Sequence, residues 1–221
     1  MHYSKQKFDS FITNSRSILN ISSKVNSLKE AIGNYGYTDD RLAQGARLYE
    51  ELVEIAQLQE KKELAKKRCF DEKAKFQAGL AAENMKFLKI ARIVFNKDEE
   101  AYSVLMLKGA RERTYNKWYY QVSVFCNNLL ANHDYLEKMS AFGVNKKSVE
   151  KLKSDLEELQ SLTEECSRIT ANVRKLVKEK RIRTVRWQEW LSDYIKIVRI
   201  AVQGSSAENS DWLKQLLSQG E

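Results

Sequence analysis

The sequence predicts an all-α protein, an elongated antiparallel helical bundle or coiled coil made of two tandem helix–turn–long helix–short helix repeats with pseudo-twofold symmetry. Three observations lead there. The chain of 221 residues has no proline and only 8 glycines. Proline punctuates loops and is excluded from helix interiors, so its absence fits long helices with short connections. Strands would need turn signals every ten residues or so, and these are missing. The third observation is an internal duplication. Lys89, Ile90, Arg92 and Ile93 reappear as Lys196, Ile197, Arg199 and Ile200, at an offset of 107 (196 − 89). The same offset carries Tyr35-Gly36 onto Phe142-Gly143 and Glu50-Glu51-Leu52 onto Glu157-Glu158-Leu159. It also places Phe8, Phe11 and Ile18 on Tyr115, Trp118 and Phe125. The endings Leu107-Lys108-Gly109 and Ser218-Gln219-Gly220 match at 111 instead, which implies a four-residue insertion near 204–208.

Repeat 1 spans 1–109, with helices expected over about 3–34, 38–95 and 98–108, and repeat 2 spans 110–221, with helices over about 111–141, 145–202 and 206–219. The two repeats are expected to form one integrated structural domain. The leading helix of each ends at Gly36 or Gly143, where a left-handed residue closes the last turn. Thr38 and Asn145 are the next N-caps, and the pairs Tyr37/Leu42 and Val144/Val149 have hydrophobic-staple spacing around them. Each long helix runs about 57 residues, or ~85 Å at 1.5 Å per residue. In the second, Val149, Leu152, Leu156, Leu159, Cys166 and Val173 keep near-heptad spacing, resumed by Trp187, Leu191, Tyr194 and Val198. That is the seam of an antiparallel bundle. The leading helix covers only half of its long partner, so the late halves, about 70–95 and 177–202, are expected to pack on each other. Asn96-x-x-Glu99 and Ser205-x-x-Glu208 read as capping boxes that open the short last helices, and Gly109 and Gly220 close them.

No stretch approaches the ~20 apolar residues of a membrane span. Residues 1–7 lack the apolar region of a signal peptide. Cys69, Cys126 and Cys166 are odd in number and show no C-x-x-C spacing, so free thiols in a reducing, cytoplasmic compartment are expected.

Candidate chemistry is sparse. The only histidines are His2 and His133, and the counterpart of His133 at the common offset is Asn26. No metal-ligand cluster, Gly-rich phosphate loop or nucleophile elbow is present, so neither enzyme activity nor a metal or other cofactor is expected. The aromatic run Tyr115, Trp118, Tyr119, Tyr120 and Phe125, with Trp187, Trp190 and Tyr194, falls largely on helical core spacing and reads as packing.

The formal charge of +8 is placed unevenly. Residues 168–186 hold eight Lys and Arg against Glu179 alone, and the corresponding 61–79, whose basic part is 61–75, holds seven basic and three acidic residues. Arg174, Lys175, Lys178, Lys180, Arg181, Arg183 and Arg186 are therefore candidate contacts for an anionic partner. Against this, at 100° per residue these cations point in every direction, whereas a groove-reading or membrane-surface helix should be one-sided. Lys89/Arg92 and Lys196/Arg199 occur in both copies, and a pseudo-twofold can bring them together as an anion pocket. Snorkelling of these side chains, or pairing with carboxylates such as Glu50, Glu51, Glu157 and Glu158, is the favoured structural alternative.

The segment Trp190-Leu191-Ser192-Asp193-Tyr194-Ile195-Lys196-Ile197-Val198-Arg199-Ile200-Ala201, echoed by Phe87–Val94, resembles the closing motif of a family of uncharacterised bacterial all-helical proteins. The resemblance implies an elongated duplicated helical fold and brings no activity. The function expected first is a non-enzymatic interaction or scaffold protein, acting on a protein partner or as a homodimer. The alternative is an anion-binding module that recognises nucleic acid or an acidic surface through the basic mid-helix segments.

Overall fold

The computed structural model describes residues 7–203 and 213–214, the side chains of 22 and 23 excepted. Among the described residues there are seven helices and no strand: α1 (Phe8–Lys24), α2 (Asn26–Gly33), α3 (Asp39–Val94), α4 (Glu99–Val104), α5 (Tyr115–Ala131), α6 (His133–Ser140) and α7 (Lys146–Val202). The protein is an all-α bundle, and both long helices run unbroken. The starts of α5, α6 and α7 fall 107 residues after those of α1, α2 and α3 (115 − 8, 133 − 26, 146 − 39).

Most of the expected punctuation is present. Gly36 and Gly143 take φ of 81° and 83°. The amides of Tyr37 and Val144 donate back to the carbonyls of Ile32 and Met139, closing the preceding helix in the same way at both turns. Asn145 accepts from the Ser148 amide through Oδ1 at 3.0 Å. The staple residues Val144 and Val149 share one core, and Tyr37 and Leu42 share the other.

Three local expectations are corrected. The single leading helix of each repeat is broken by one extended residue, Val25 in the first (φ −100°, ψ 99°) and Asn132 in the second (φ −110°, ψ 108°). Asn132 caps the helix that follows, its side chain accepting from the Tyr135 amide. The cap of α4 is Asp98, whose carboxylate accepts from the Ala101 amide at 2.9 Å, and not Asn96. The expected thiols of Cys69 and Cys166 are joined in a disulfide, with Cα atoms 5.7 Å apart across a sequence separation of 97. Each sits on a buried helix face, a proximity that sequence spacing does not reveal. With Cys69 and Cys166 bonded, free thiols no longer point to a reducing compartment. Cys126 is a free, buried thiol. The capping box expected at Ser205 and Glu208 and the closing Gly220 lie outside the described residues.

The chain forms two compact units, residues 1–63 with 171–221, and residues 64–170. In the first, α1, α2 and the early part of α3 enclose the late part of α7. Phe11, Ile18, Leu28, Ile32 and Leu52 bury there with Trp187, Leu191, Tyr194 and Val198. In the second, α4, α5, α6 and the early part of α7 enclose the late part of α3. Phe87, Leu88, Ala91 and Phe95 bury there with Trp118, Val122, Phe125, Leu152 and Leu159. The late halves of the long helices thus bury in two different cores, each beside a separate pair of leading helices, and not in the single shared core expected. Within the first unit Trp190 lies against Gly45, Trp187 against Tyr49 and Arg183 against Glu51, so α3 and α7 run antiparallel. This direction sets the late half of one long helix beside the early half of the other, where the leading helices already present an apolar face.

The seam residues of α7 named above are all buried. Trp187, Trp190 and Tyr194 are packing residues, stacked at 5.3 Å between successive ring centroids. Trp118 and Phe125 are likewise buried, whereas Tyr120 is exposed.

Candidate functional site

The basic stretch of α7 acquires its geometry from the face that the helix buries. Val173, Thr184, Trp187 and Leu191 are buried, and they lie on one side of the helix at 100° per residue. Arg174, Lys175, Lys178, Arg181 and Arg186 are exposed on the other side. Arg174, Lys178 and Arg181 follow i, i+4, i+7 spacing and form one ridge along the axis. Lys175 and Arg186, at i and i+11, form a second beside it. From 174 to 186 this surface covers about 18 Å of helix axis. Val177, Ile182 and Val185 are set among the cations, about half exposed at 46, 53 and 46 %. A hollow of about 390 Å³ borders Val177 and Val185, between Gln59 of α3 and Arg181 and Gln188 of α7.

The remaining two cations of the stretch are engaged inside the unit. The Lys180 ammonium sits 3.7 Å from the centre of the Phe8 ring. Burial lowers the Lys180 pKa from its ordinary value, while the carboxylates of Asp9 and Glu60 act in the opposite sense. Arg183 donates through Nη1 to the Glu51 carbonyl at 3.2 Å and pairs with the Glu51 carboxylate at 3.6 Å. The tertiary packing therefore sorts seven cations into five that are displayed on one half of the helix and two that are not.

The other candidate cations are placed differently. In the second unit, Lys89 is exposed, and Arg92 donates to the carbonyls of Leu107 at 2.9 Å and Gly109 at 2.8 Å. Arg111, which the sequence alone does not single out, donates to the alternating carbonyls of Met106 at 2.8 Å and Lys108 at 3.0 Å. Two guanidiniums thus engage the four carbonyls from 106 to 109, in a turn where Met106 takes φ of 52°. Burial, and then the neighbouring Arg92 charge, lowers the Arg111 pKa from its ordinary value. In the first unit, Lys196 pairs with Asp193 at 3.1 Å and Arg199 is exposed. In the earlier basic segment, 61–75, Lys73 lies over the Tyr115 ring at 4.5 Å, and Lys61, Lys62, Lys67, Arg68 and Lys75 are exposed among Glu63, Asp71 and Glu72. His133 is an exposed residue at the start of α6.

Among the described residues, no group of three or more His, Cys, Asp or Glu side chains is arranged to hold a metal ion, and no helix is long and apolar enough to cross a membrane. In comparisons with known proteins, no family model, curated protein or solved structure matches this chain.

Proposed function

We propose that this chain is a non-enzymatic helical interaction protein that binds the phosphate backbone of nucleic acid through the exposed half of α7. The observation that carries the reading is the one-sided display of Arg174, Lys175, Lys178, Arg181 and Arg186. Cations scattered around a free helix cannot all face one partner, but here the opposite half of the helix is occupied by the core. The cations and the aliphatic residues Val177, Ile182 and Val185 interleave without the continuous apolar stripe that insertion into a lipid surface would need. The equal spacing of helix starts supports the duplication as part of this reading, with the second repeat carrying the more basic midsection.

Titration of the full chain against a duplex oligonucleotide at increasing salt tests the proposal. Engagement of five phosphates gives a slope of log K against log salt of about −4 to −5, since each neutralised phosphate contributes about −0.9. Arg174→Gln and Arg181→Gln should each reduce the slope by about 1. No binding at low salt, or a slope unmoved by these substitutions, overturns the reading.

A second reading, a scaffold that docks a protein helix, is favoured by a separate feature of the first unit, an apolar hollow with an acidic rim.

A further inference from the structure

We propose that the hollow running between α1 and α3 in the first unit docks the exposed basic segment of α7 from a second copy of this chain. Two depressions, of about 570 and 670 Å³, meet at Val53 and follow α3 between residues 39 and 63. At 1.5 Å per residue this is about 36 Å, enough for the roughly 18 Å segment from 174 to 186. Ile12 and Leu19 of α1 and Leu42, Ala46, Val53 and Ala56 of α3 supply its apolar lining.

The helical framework does not itself require that lining. At the offset of 107 that relates the helix starts, Ala46, Val53 and Ala56 correspond to Lys153, Gln160 and Thr163 of α7. The same helical position is therefore polar in one place and apolar in the other. Small side chains at 46 and 56 leave depth for a ridge from outside.

Charge identifies the occupant. Asp9, Asp39, Glu50, Glu54, Glu60 and Glu63 line the two depressions, against Arg16, Lys29 and Lys180. Lys29 is paired with Asp39 at 2.7 Å, and the Lys180 ammonium lies over Phe8. A chain of net charge +8 thus carries a locally acidic trough. The same chain displays a complementary ridge, five cations interspersed with the half-exposed Val177, Ile182 and Val185. Docking places those aliphatic groups on the apolar lining and the interleaved cations against the acidic rim, so that opposite charges face each other around the apolar contact. Because the docking cations are those assigned above to phosphate, nucleic acid and the second copy compete for one surface. That competition rests on the proposed function, whereas the docking itself does not.

Sedimentation of the full chain across a wide concentration range, at low and moderate salt, tests the proposal. The expected result is self-association that weakens as salt rises. Glu50 and Glu54 are exposed on the rim, so Glu50→Lys/Glu54→Lys should fold normally and associate at least tenfold more weakly. Arg181→Glu/Arg186→Glu should show the same loss. Mixing the two variants should restore association, because each then offers an intact surface to the other. Glu50→Gln/Glu54→Gln provides a milder reduction if charge reversal disturbs folding. A chain that stays monomeric throughout, or a rim variant that associates like the parent, overturns the docking. Nucleic-acid binding retained by a monomeric chain would leave the phosphate reading standing without it. Self-association with no nucleic-acid binding would leave the docking standing alone.

Discussion

Trp190 lies flat between Trp187 and Tyr194 and rests against Gly45, where a Cβ would collide with the indole ring. Alanine favours a helix over glycine by about 1 kcal/mol, but overpacking a well-filled core costs about 1–3 kcal/mol. Both faces of the ring are covered, so it cannot move aside cheaply. Gly45→Ala should therefore lower stability in urea despite its better helix propensity, and an unchanged midpoint would contradict this packing. Arg92 is a second residue whose role is set by what it touches. Arg92→Gln removes two charge-assisted hydrogen bonds from the turn at 106–109 and should cost about 1–2 kcal/mol, read as a lower thermal midpoint. Cys126 gives a pH signature. Burial pushes its thiol up from the ordinary 9.0 to about 12, so the folded state disfavours the thiolate. Between those values the unfolded chain holds fewer protons than the folded one, and stability falls as pH rises. The contribution is fully present below about pH 9 and is lost progressively toward pH 12. The difference between parent and Cys126→Ala stability across that window measures it, and parallel curves would show that the thiol is not buried as described.

At the scale of elements, the informative features are the interruptions. The matched breaks at Val25 and Asn132 turn each leading helix into two. At the second break Asn132 accepts from the Tyr135 amide, and at the next turn Asn145 accepts from the Ser148 amide. Asn132→Ala and Asn145→Ala should each cost about 1 kcal/mol, the usual loss for an N-cap, measured by denaturant unfolding. The Cys69–Cys166 disulfide ties α3 to α7 within the second unit across a sequence separation of 97. In the chain-entropy account a loop of that size contributes about 4–5 kcal/mol. Reduction, or Cys69→Ala/Cys166→Ala, should therefore lower the stability of this unit far more than loss of either cap. Equal stability of oxidised and reduced protein would contradict the disulfide. The Asn145 cap was legible because it follows a glycine-closed turn, whereas Asn132 lies inside a continuous helical pattern and its break was not. The disulfide was not, because its partners meet only after the long helices align.

At the scale of the whole molecule, the basic segment links fold to proposed function. Arg183 and Arg181 are two residues apart, yet one is committed to Glu51 and the other is displayed. Arg183→Gln should reduce stability modestly, by about 0.5–1 kcal/mol for a half-exposed pair, and leave the salt slope of nucleic-acid binding unchanged. Arg181→Gln should do the reverse. Parallel stability and binding titrations separate them, and equal loss of slope in both variants would mean that the displayed half is not the contact surface.

The sequence by itself determined the all-α class, both glycine-closed turns, the Asn145 cap, the bounds of the long helices and the seam from Val149 to Val198. Each is encoded locally, in proline content, heptad spacing or side-chain preference over a few residues. Tertiary structure decided which late half enters which core, that Cys69 meets Cys166, that Arg92 and Arg111 serve four carbonyls, and that Lys180 and Arg183 turn inward while five neighbouring cations turn out. Periodicity says that a helix has an apolar face, but not which of several apolar faces will cover it. The sequence therefore showed the basic charge of α7 and could not show its direction, because the burial of the opposite half makes that charge one-sided.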